Sequence, residues 1–312
     1  MSSESSIDEA LRAQTTAASG QNGEDKNCKA RTGLVMEGGA MRGMFTCGVI
    51  DVFMENNINF DSAIGVSAGA VFGCNLKSRQ IGRPIRYNKR FCRNKNYESI
   101  QSLLKTGDLY NADFCYRLLP DELDPWDSET FAANPMDFSV VCTDVETGEP
   151  VYHLCTTGVG DDMTWFRASA SMPVLSRIVE VGGHKLLDGG VTDPIPLKHF
   201  QETSGCSRII VILTRPRGFV VKRNHLDPII QAKYRDYPAF IEAWKRMDDN
   251  HNETLRYVEA EEDTGRILVI RPVVDVNIGK AEKNPDELER VYQAGRRAGR
   301  RSLESVRSFL SH

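Results

Sequence analysis

Three short stretches of this chain combine residue types that can attack a carbonyl group and stabilise the product of the attack. The first is Gly65-Val66-Ser67-Ala68-Gly69, a serine between two glycines at the spacing of a nucleophile elbow. In such an elbow a short apolar strand ends in a sharp turn, the serine stands at the apex, and a helix begins at once. The second, Glu37-Gly38-Gly39-Ala40-Met41-Arg42-Gly43, frees backbone amides between a strand end and a helix start. Unpaired N–H groups and the helix dipole make such a turn an anion site. It lacks the Gly-Lys-Ser/Thr ending of a phosphate loop, and Ala40 interrupts the six-residue dinucleotide pattern, so an oxyanion hole suits it better than a nucleotide cradle. Arg42 would add a permanent positive charge there. The third is Asp188-Gly189-Gly190, directly after the apolar pair Leu186-Leu187. An aspartate, with an ordinary pKa of about 3.9, is ionised at neutral pH and accepts a proton from a serine within hydrogen-bond reach. Taken singly, each of the three also fits an ordinary turn.

Serine is a poor nucleophile until a base takes its proton. Six histidines are present, at 153, 184, 199, 225, 251 and 312, and none lies in a motif resembling a triad loop. Asp188 is therefore one candidate base, and His199 or His225 in a conventional triad is the competing one.

The elements that would position these residues follow from the apolar pattern. Thr32 to Met36 reads as a strand running straight into the glycine turn, and Phe45, Val49, Val52 and Phe53 follow at helical spacing. Phe60 to Val66 reads as the strand before the elbow and Ala68 to Leu76 as the helix after it. Strand, turn, helix, strand is a βαβ unit, which implies parallel pairing under covering helices. Downstream, strands are expected at Asp137 to Asp144, Pro150 to Cys155, Arg208 to Thr214 and Arg266 to Arg271, with a hairpin over Ile178 to Leu187 turned at Gly182-Gly183. Helices are expected at Met163 to Ser171, Tyr237 to Glu261 and Pro285 to Leu310. With no internal repeat or low-complexity linker, the chain reads as a tail over residues 1–30, a main domain over 31–216, and an extension over 217–312 that packs on the same domain.

In this order the glycine turn, the serine elbow and the Asp-Gly-Gly motif resemble the patatin-like phospholipase family of serine lipid acyl hydrolases. The resemblance runs from about Thr32 to Pro196 and takes in Ala168-Ser169-Ala170-Ser171-Met172-Pro173, similar to the small-residue segment ahead of the family's aspartate strand. Among its members, the bacterial patatin-like proteins with an additional C-terminal region look most similar. The resemblance implies a three-layer α/β/α fold with a mostly parallel central sheet, and a Ser–Asp dyad without histidine acting on fatty acyl esters. By position Ser67 would be the nucleophile and Asp188 the base. Gly38, Gly39 and Ala40 would supply the oxyanion amides, with Arg42 at the family's basic position and Gly43 closing the turn. The departure is Ala40, where the family usually has a third glycine. An alanine amide still donates, so the hole is expected to survive unless that residue needs positive φ.

Composition bounds the alternatives. A net charge of −4 over 312 residues gives no global reason to expect nucleic acid as a partner, and no apolar run approaches the roughly 18 residues of a membrane span. Eight scattered cysteines without paired spacing argue against a zinc site, and no metal or cofactor is implied. Without a secretory signal pattern, a cytoplasmic chain with reduced thiols is the expectation. Between Lys77 and Lys95 stand eight Lys or Arg and no acid. That stretch is read as a solvated face, or as a dock for the headgroups of an anionic membrane surface beside the site. The expected partner is a lipid ester substrate. A thioesterase or acyltransferase on the same dyad, or a catalytically silent lipid-binding protein, would share these motifs; acyl length, headgroup, calcium dependence and oligomeric state are not encoded in any of them.

Overall fold

The computed structural model describes residues 30–222 and 227–311; the expected N-terminal tail and His225 lie outside the described residues. Eight strands form one mixed sheet, β1 (Thr32–Met36), β2 (Ser62–Val66), β3 (Asp137–Asp144), β4 (Pro150–Cys155), β5 (Val179–Val181), β6 (His184–Asp188), β7 (Arg208–Ile212) and β8 (Ile267–Ile270). Their order is β5-β6-β3-β2-β1-β7-β8, with β4 also paired to β3. The run β3-β2-β1-β7-β8 is parallel, whereas β4 and β6 join β3 antiparallel and β5 joins β6 antiparallel.

The parallel strands need cover on both faces, which is why β1, β2 and β7 read as near-continuous apolar runs. Eleven helices are described: α1 (Gly43–Glu55), α2 (Ala68–Val71), α3 (Cys74–Lys77), α4 (Arg83–Phe91), α5 (Ile100–Thr106), α6 (Ser128–Ala133), α7 (Asp161–Ser169), α8 (Leu197–Thr203), α9 (Asp227–Lys233), α10 (Pro238–Asp263) and α11 (Pro285–Ser311). Leu34, Met36 and Ile212 point to one side, into a core shared with Phe45, Val49 and Phe53 of α1 and Val291 and Ala298 of α11. Val35, Ile64 and Val211 point to the other, against Phe200 of α8 and Leu255 and Val258 of α10. The result is the expected three-layer α/β/α arrangement.

The expected elbow helix is not continuous. It is divided into α2 and α3 around Gly73, where a Cβ would fall 2.6 Å from the Met36 sulfur. The segment 77–133, for which the pattern gave only a charged stretch, contains α4, α5, a π-helical stretch over Phe114–Leu123 and α6. The basic face is largely absorbed there. Lys77 is buried and donates to Met136 O, just ahead of β3, at 2.6 Å, and Arg83 is buried against Asp124 O. Arg86 forks onto the Asp124 carboxylate at 2.8 and 2.7 Å, and Lys89 pairs with Glu289 at 2.8 Å. Arg79, Arg90 and Arg93 donate to Asn59, Leu123 O and Lys283 O. Among the described residues, seven of the eight cations hold a partner through their side chains, all but Lys95.

The C-terminal region contributes to both layers and to the sheet: β8 extends the parallel run beside β7, α10 covers one face and α11 the other. Helices α1 and α11 approach unusually closely. A Cβ on Gly48 would fall 2.1 Å from Tyr292 O, and one on Gly295 would fall 2.0 Å from Phe45 O. Tyr292 of α11 also donates to the buried Asp51 of α1 at 2.8 Å. No side chain fits between these backbones, so Gly295→Val should destabilise the fold by about 3 kcal/mol, read as a lower Tm and a lower urea midpoint; an unchanged midpoint would show that α11 does not need this contact.

Candidate active site

Ser67 sits where the chain leaves β2, with φ 53° and ψ −118°, and α2 starts at the next residue. This backbone is strained for a non-glycine residue, and two glycines make it attainable. A Cβ on Gly65 would lie 2.3 Å from Gly69 O, and one on Gly69 would lie 2.4 Å from Met36 O. The elbow is thus wedged against the end of β1, and β1 leads into the glycine turn. The Ser67 amide donates to Ser169 Oγ at 3.0 Å, and Ser169 in turn donates to Val141 O at 2.7 Å. Ser169, in the small-residue segment, therefore supports the elbow from α7.

Asp188 closes β6. Its own N–H donates to Ser171 O at 2.9 Å, and the Thr143 hydroxyl donates to its carbonyl at 2.9 Å, fixing the backbone from two sides. Gly189 lets that turn lie on β3, because a Cβ there would fall 2.3 Å from Val141 O. The side chain is held at both oxygens: Ser67 Oγ donates to Oδ2 at 2.6 Å and Gly190 N–H donates to Oδ1 at 2.8 Å. Burial pushes the Asp188 carboxyl up to about 6 from 3.8, opposed by the Ser67 and Gly190 hydrogen bonds and the charge of Lys280. A carboxylate in this state is more basic than a solvated one yet ionised at neutral pH.

None of the described histidines bonds Ser67 or Asp188. His199 stacks on Tyr152 with ring centroids 3.4 Å apart, and His153, His184 and His251 pair with Asp162, Asp144 and Glu37. Among the described residues the only side-chain base in contact with Ser67 is Asp188.

The glycine turn lies beside the serine, since a Cβ on Gly38 would fall 3.2 Å from Ser67 Cβ. Gly38 N–H reaches Pro194 O at 3.4 Å, a long bond, and the turn closes through Arg42 N–H to Gly39 O at 3.1 Å. Ala40 does take positive φ, 48°, the condition under which an alanine costs more than a glycine. Arg42 does not line the cavity at Ser67; its Nε donates to Thr214 Oγ1 at 3.3 Å, beside the buried Glu37. Gly43 is the first residue of α1 and packs on Ala68 and Phe72, a contact position rather than a donor at the cavity.

From Ser67 and Ala40 a cavity of about 930 Å³, counting its open mouth, extends between α2 and the segment that follows it. Its wall is mainly apolar and aromatic, including Phe72, Tyr87, Tyr97, Tyr116 and Phe166, and Lys280 stands at the rim. The shape suits a flexible hydrocarbon chain laid away from the hydroxyl. This wall was not visible in the sequence, because it is assembled from scattered aromatics in a segment without clear periodicity.

A model of the patatin-like phospholipase family matches residues 34–200, more than half of the chain. The chain belongs to that family. A second model, a domain of unknown function (DUF6363), matches residues 237–311, the part holding α10, β8 and α11. Among relatives of this patatin-like protein, the uncharacterized protein YjjU of Escherichia coli is 30% identical over 239 residues, covering 68% of this chain and 65% of that protein. A protein named lysophospholipase nte1 of Aspergillus terreus is 24% identical over 90% of this chain but only 18% of its own length. The chain thus spans just under two thirds of the first relative and less than a fifth of the second. VipD from Legionella pneumophila aligns over 89% of this chain and 67% of its own, at 14% identity and a TM-score of 0.43.

The fold also gathers His153, Cys155 and Asp162, whose ligand atoms lie within 4.8 Å of one another, a grouping the scattered cysteines did not suggest. Asp162 is committed there to the loop: its Oδ2 accepts the N–H groups of Thr156, Thr157 and Gly158, and Oδ1 meets His153. The strain at Ala40 gives a direct test of the turn. Ala40→Gly should raise stability by up to about 1 kcal/mol, or roughly 2 °C in Tm; a fall in Tm would mean that the positive φ costs the chain nothing.

Proposed function

We propose that this patatin-like chain hydrolyses acyl esters of lipids through a Ser67–Asp188 dyad. The observation that carries the reading is the 2.6 Å bond from Ser67 Oγ to a buried carboxylate at the head of an aromatic cavity. Asp188 accepts the hydroxyl proton as Ser67 Oγ bonds to the ester carbon. The amides of Gly39 and Ala40 hold the oxyanion, since the Gly38 N–H is turned to Pro194 O, and the alkoxide leaves with the proton from Asp188. Water then attacks the acyl-enzyme with Asp188 again as base, releasing the fatty acid and regenerating the serine. Splitting one hard step into two easier ones is what the covalent intermediate contributes. The substrate class in this reading is a single long acyl chain on a polar alcohol, which the cavity's apolar wall fits and which the name of the fungal relatives also points toward.

The reading fixes the pH profile. Below about pH 6 Asp188 is protonated and cannot accept the Ser67 proton, so kcat/KM on an uncharged ester should fall tenfold per pH unit there and level off above. Ser67→Ala and Asp188→Asn should each lower kcat by at least about a thousandfold with Tm retained. Turnover by purified Ser67→Ala protein, or a pH dependence that vanishes in His199→Ala, would sink the dyad.

Contact with an anionic membrane surface belongs to the same proposal, with its support moved away from residues 77–95. Tyr97 and Tyr110 both line the cavity, and the chain between them projects α5, whose Ile100 and Leu104 are 71% and 82% exposed on one face, with Lys95 and Lys105 close by in sequence. Apolar residues flanked by cations suit an interfacial site. The double variant Ile100→Glu, Leu104→Glu should weaken binding to vesicles containing anionic lipid several-fold and leave hydrolysis of a short soluble ester unchanged; undiminished vesicle binding would remove α5 from the contact.

A further inference from the structure

The residue that introduces the glycine turn, Glu37, is fully buried, yet its carboxylate is held below the usual range. Burial alone would push it up; the hydrogen bond and charge of His251, the Thr214 amide and the charge of Arg42 together outweigh that. The two oxygens are fixed by different parts of the chain. Oε2 accepts the backbone N–H of Thr214 and, at 3.0 Å, its hydroxyl, just beyond the end of β7. Oε1 meets His251 Nε2 at 3.2 Å, from the middle of α10. Arg42 Nε completes the set by donating to Thr214 Oγ1 at 3.3 Å. Glu37 N–H is in turn bonded to Ile212 O at 3.1 Å.

Glu37 is covalently joined to Gly38, whose position beside Ser67 is set by the same backbone. The Glu37 backbone, held by its N–H to Ile212 O, runs directly into the amides of Gly39 and Ala40, so the carboxylate contacts anchor the residue from which that turn departs. A buried carboxylate held at only one oxygen can pivot; held at both, it cannot. Without the second partner, Oε1 of a buried carboxylate would also lose its hydrogen bond, which is costly.

We propose that His251 is a positioning residue for the oxyanion turn, acting through Glu37, and that the region 217–312 serves the catalytic domain by supplying it. The inference rests on the acyl-hydrolase reading above, with the amides of Gly39 and Ala40 as the oxyanion donors. His251 touches no reacting atom; it fixes the angle at which those amides meet the carbonyl oxygen. Displacement by a fraction of an ångström weakens donors that act mainly in the transition state, so the effect falls on kcat rather than on KM.

The test compares the parent chain with His251→Ala, His251→Gln and His251→Phe on p-nitrophenyl butyrate, measuring kcat, KM, the rate of fluorophosphonate labelling and Tm. His251→Ala and His251→Phe should lower kcat and labelling rate at least about tenfold, with KM within about twofold. His251→Gln keeps an N–H donor and should recover to within about threefold of the parent. If His251→Ala does not fold, His251→Phe, which fills the ring volume without a donor, decides. Folded His251→Phe with parental kcat, a loss that falls on KM, or His251→Gln as impaired as His251→Phe at equal Tm would each overturn the inference. An inactive, unlabelled parent would overturn the underlying reading and the inference with it, whereas an active parent with a silent His251 series would overturn the inference alone.

Discussion

The arrangement depends on one short hydrogen bond between groups 121 residues apart, Ser67 Oγ and Asp188 Oδ2. Neither group holds its place alone. Ser67 pays backbone strain at φ 53°, and Asp188 pays desolvation that pushes its carboxyl up to about 6. Each cost is sustained by the sheet: β2 and β6 both flank β3, and the elbow and the aspartate turn emerge on either side of it beside Val141 and Cys142. Ser169 and Val141 brace the serine from below, while Thr143 and Ser171 brace the aspartate. A mixed sheet, with β2 parallel and β6 antiparallel to the shared neighbour β3, is the means by which residues from distant segments are brought within 2.6 Å of each other.

What was legible in the sequence was local. The strands Thr32–Met36, Asp137–Asp144 and Pro150–Cys155 fall on the expected residues because apolar runs bounded by turn residues specify strands directly. The elbow and the Asp-Gly-Gly turn were legible because close backbone approaches leave glycine as the only residue that fits. What was not legible depends on partners far along the chain. Nothing near Glu37 announces His251, 214 positions away, and nothing near Arg42 says that its guanidinium is drawn to Thr214. The basic run at 77–95 looked like a solvated face because the acids and carbonyls that satisfy it come from Asp124, Leu123, Glu289 and Lys283. The aromatic wall of the cavity escaped for a related reason, since its residues share a surface only after the chain has folded.

The C-terminal region is bound into the layers rather than appended to them. Its strand β8 extends the parallel run, its last helix approaches α1 at the backbone contact of Gly48 and Gly295, and α10 reaches the glycine turn through His251. Those contacts connect the C-terminal segment to the position of the glycine turn beside Ser67. Local propensity alone would have made α11 a surface helix; its tyrosine on a buried aspartate and its glycine against Phe45 O make it part of the core.

The most direct measurement is a trap of the covalent intermediate. The chain would be mixed with excess p-nitrophenyl ester of a fatty acid, quenched in acid within a turnover, and its intact mass and proteolytic fragments read by mass spectrometry. A mass increase of one acyl group on the fragment containing Ser67, absent in Ser67→Ala, is the predicted result. Burst release of the alcohol with the acyl group on another residue, or turnover with no acylated protein at any quench time, would contradict the assignment of Ser67 as nucleophile.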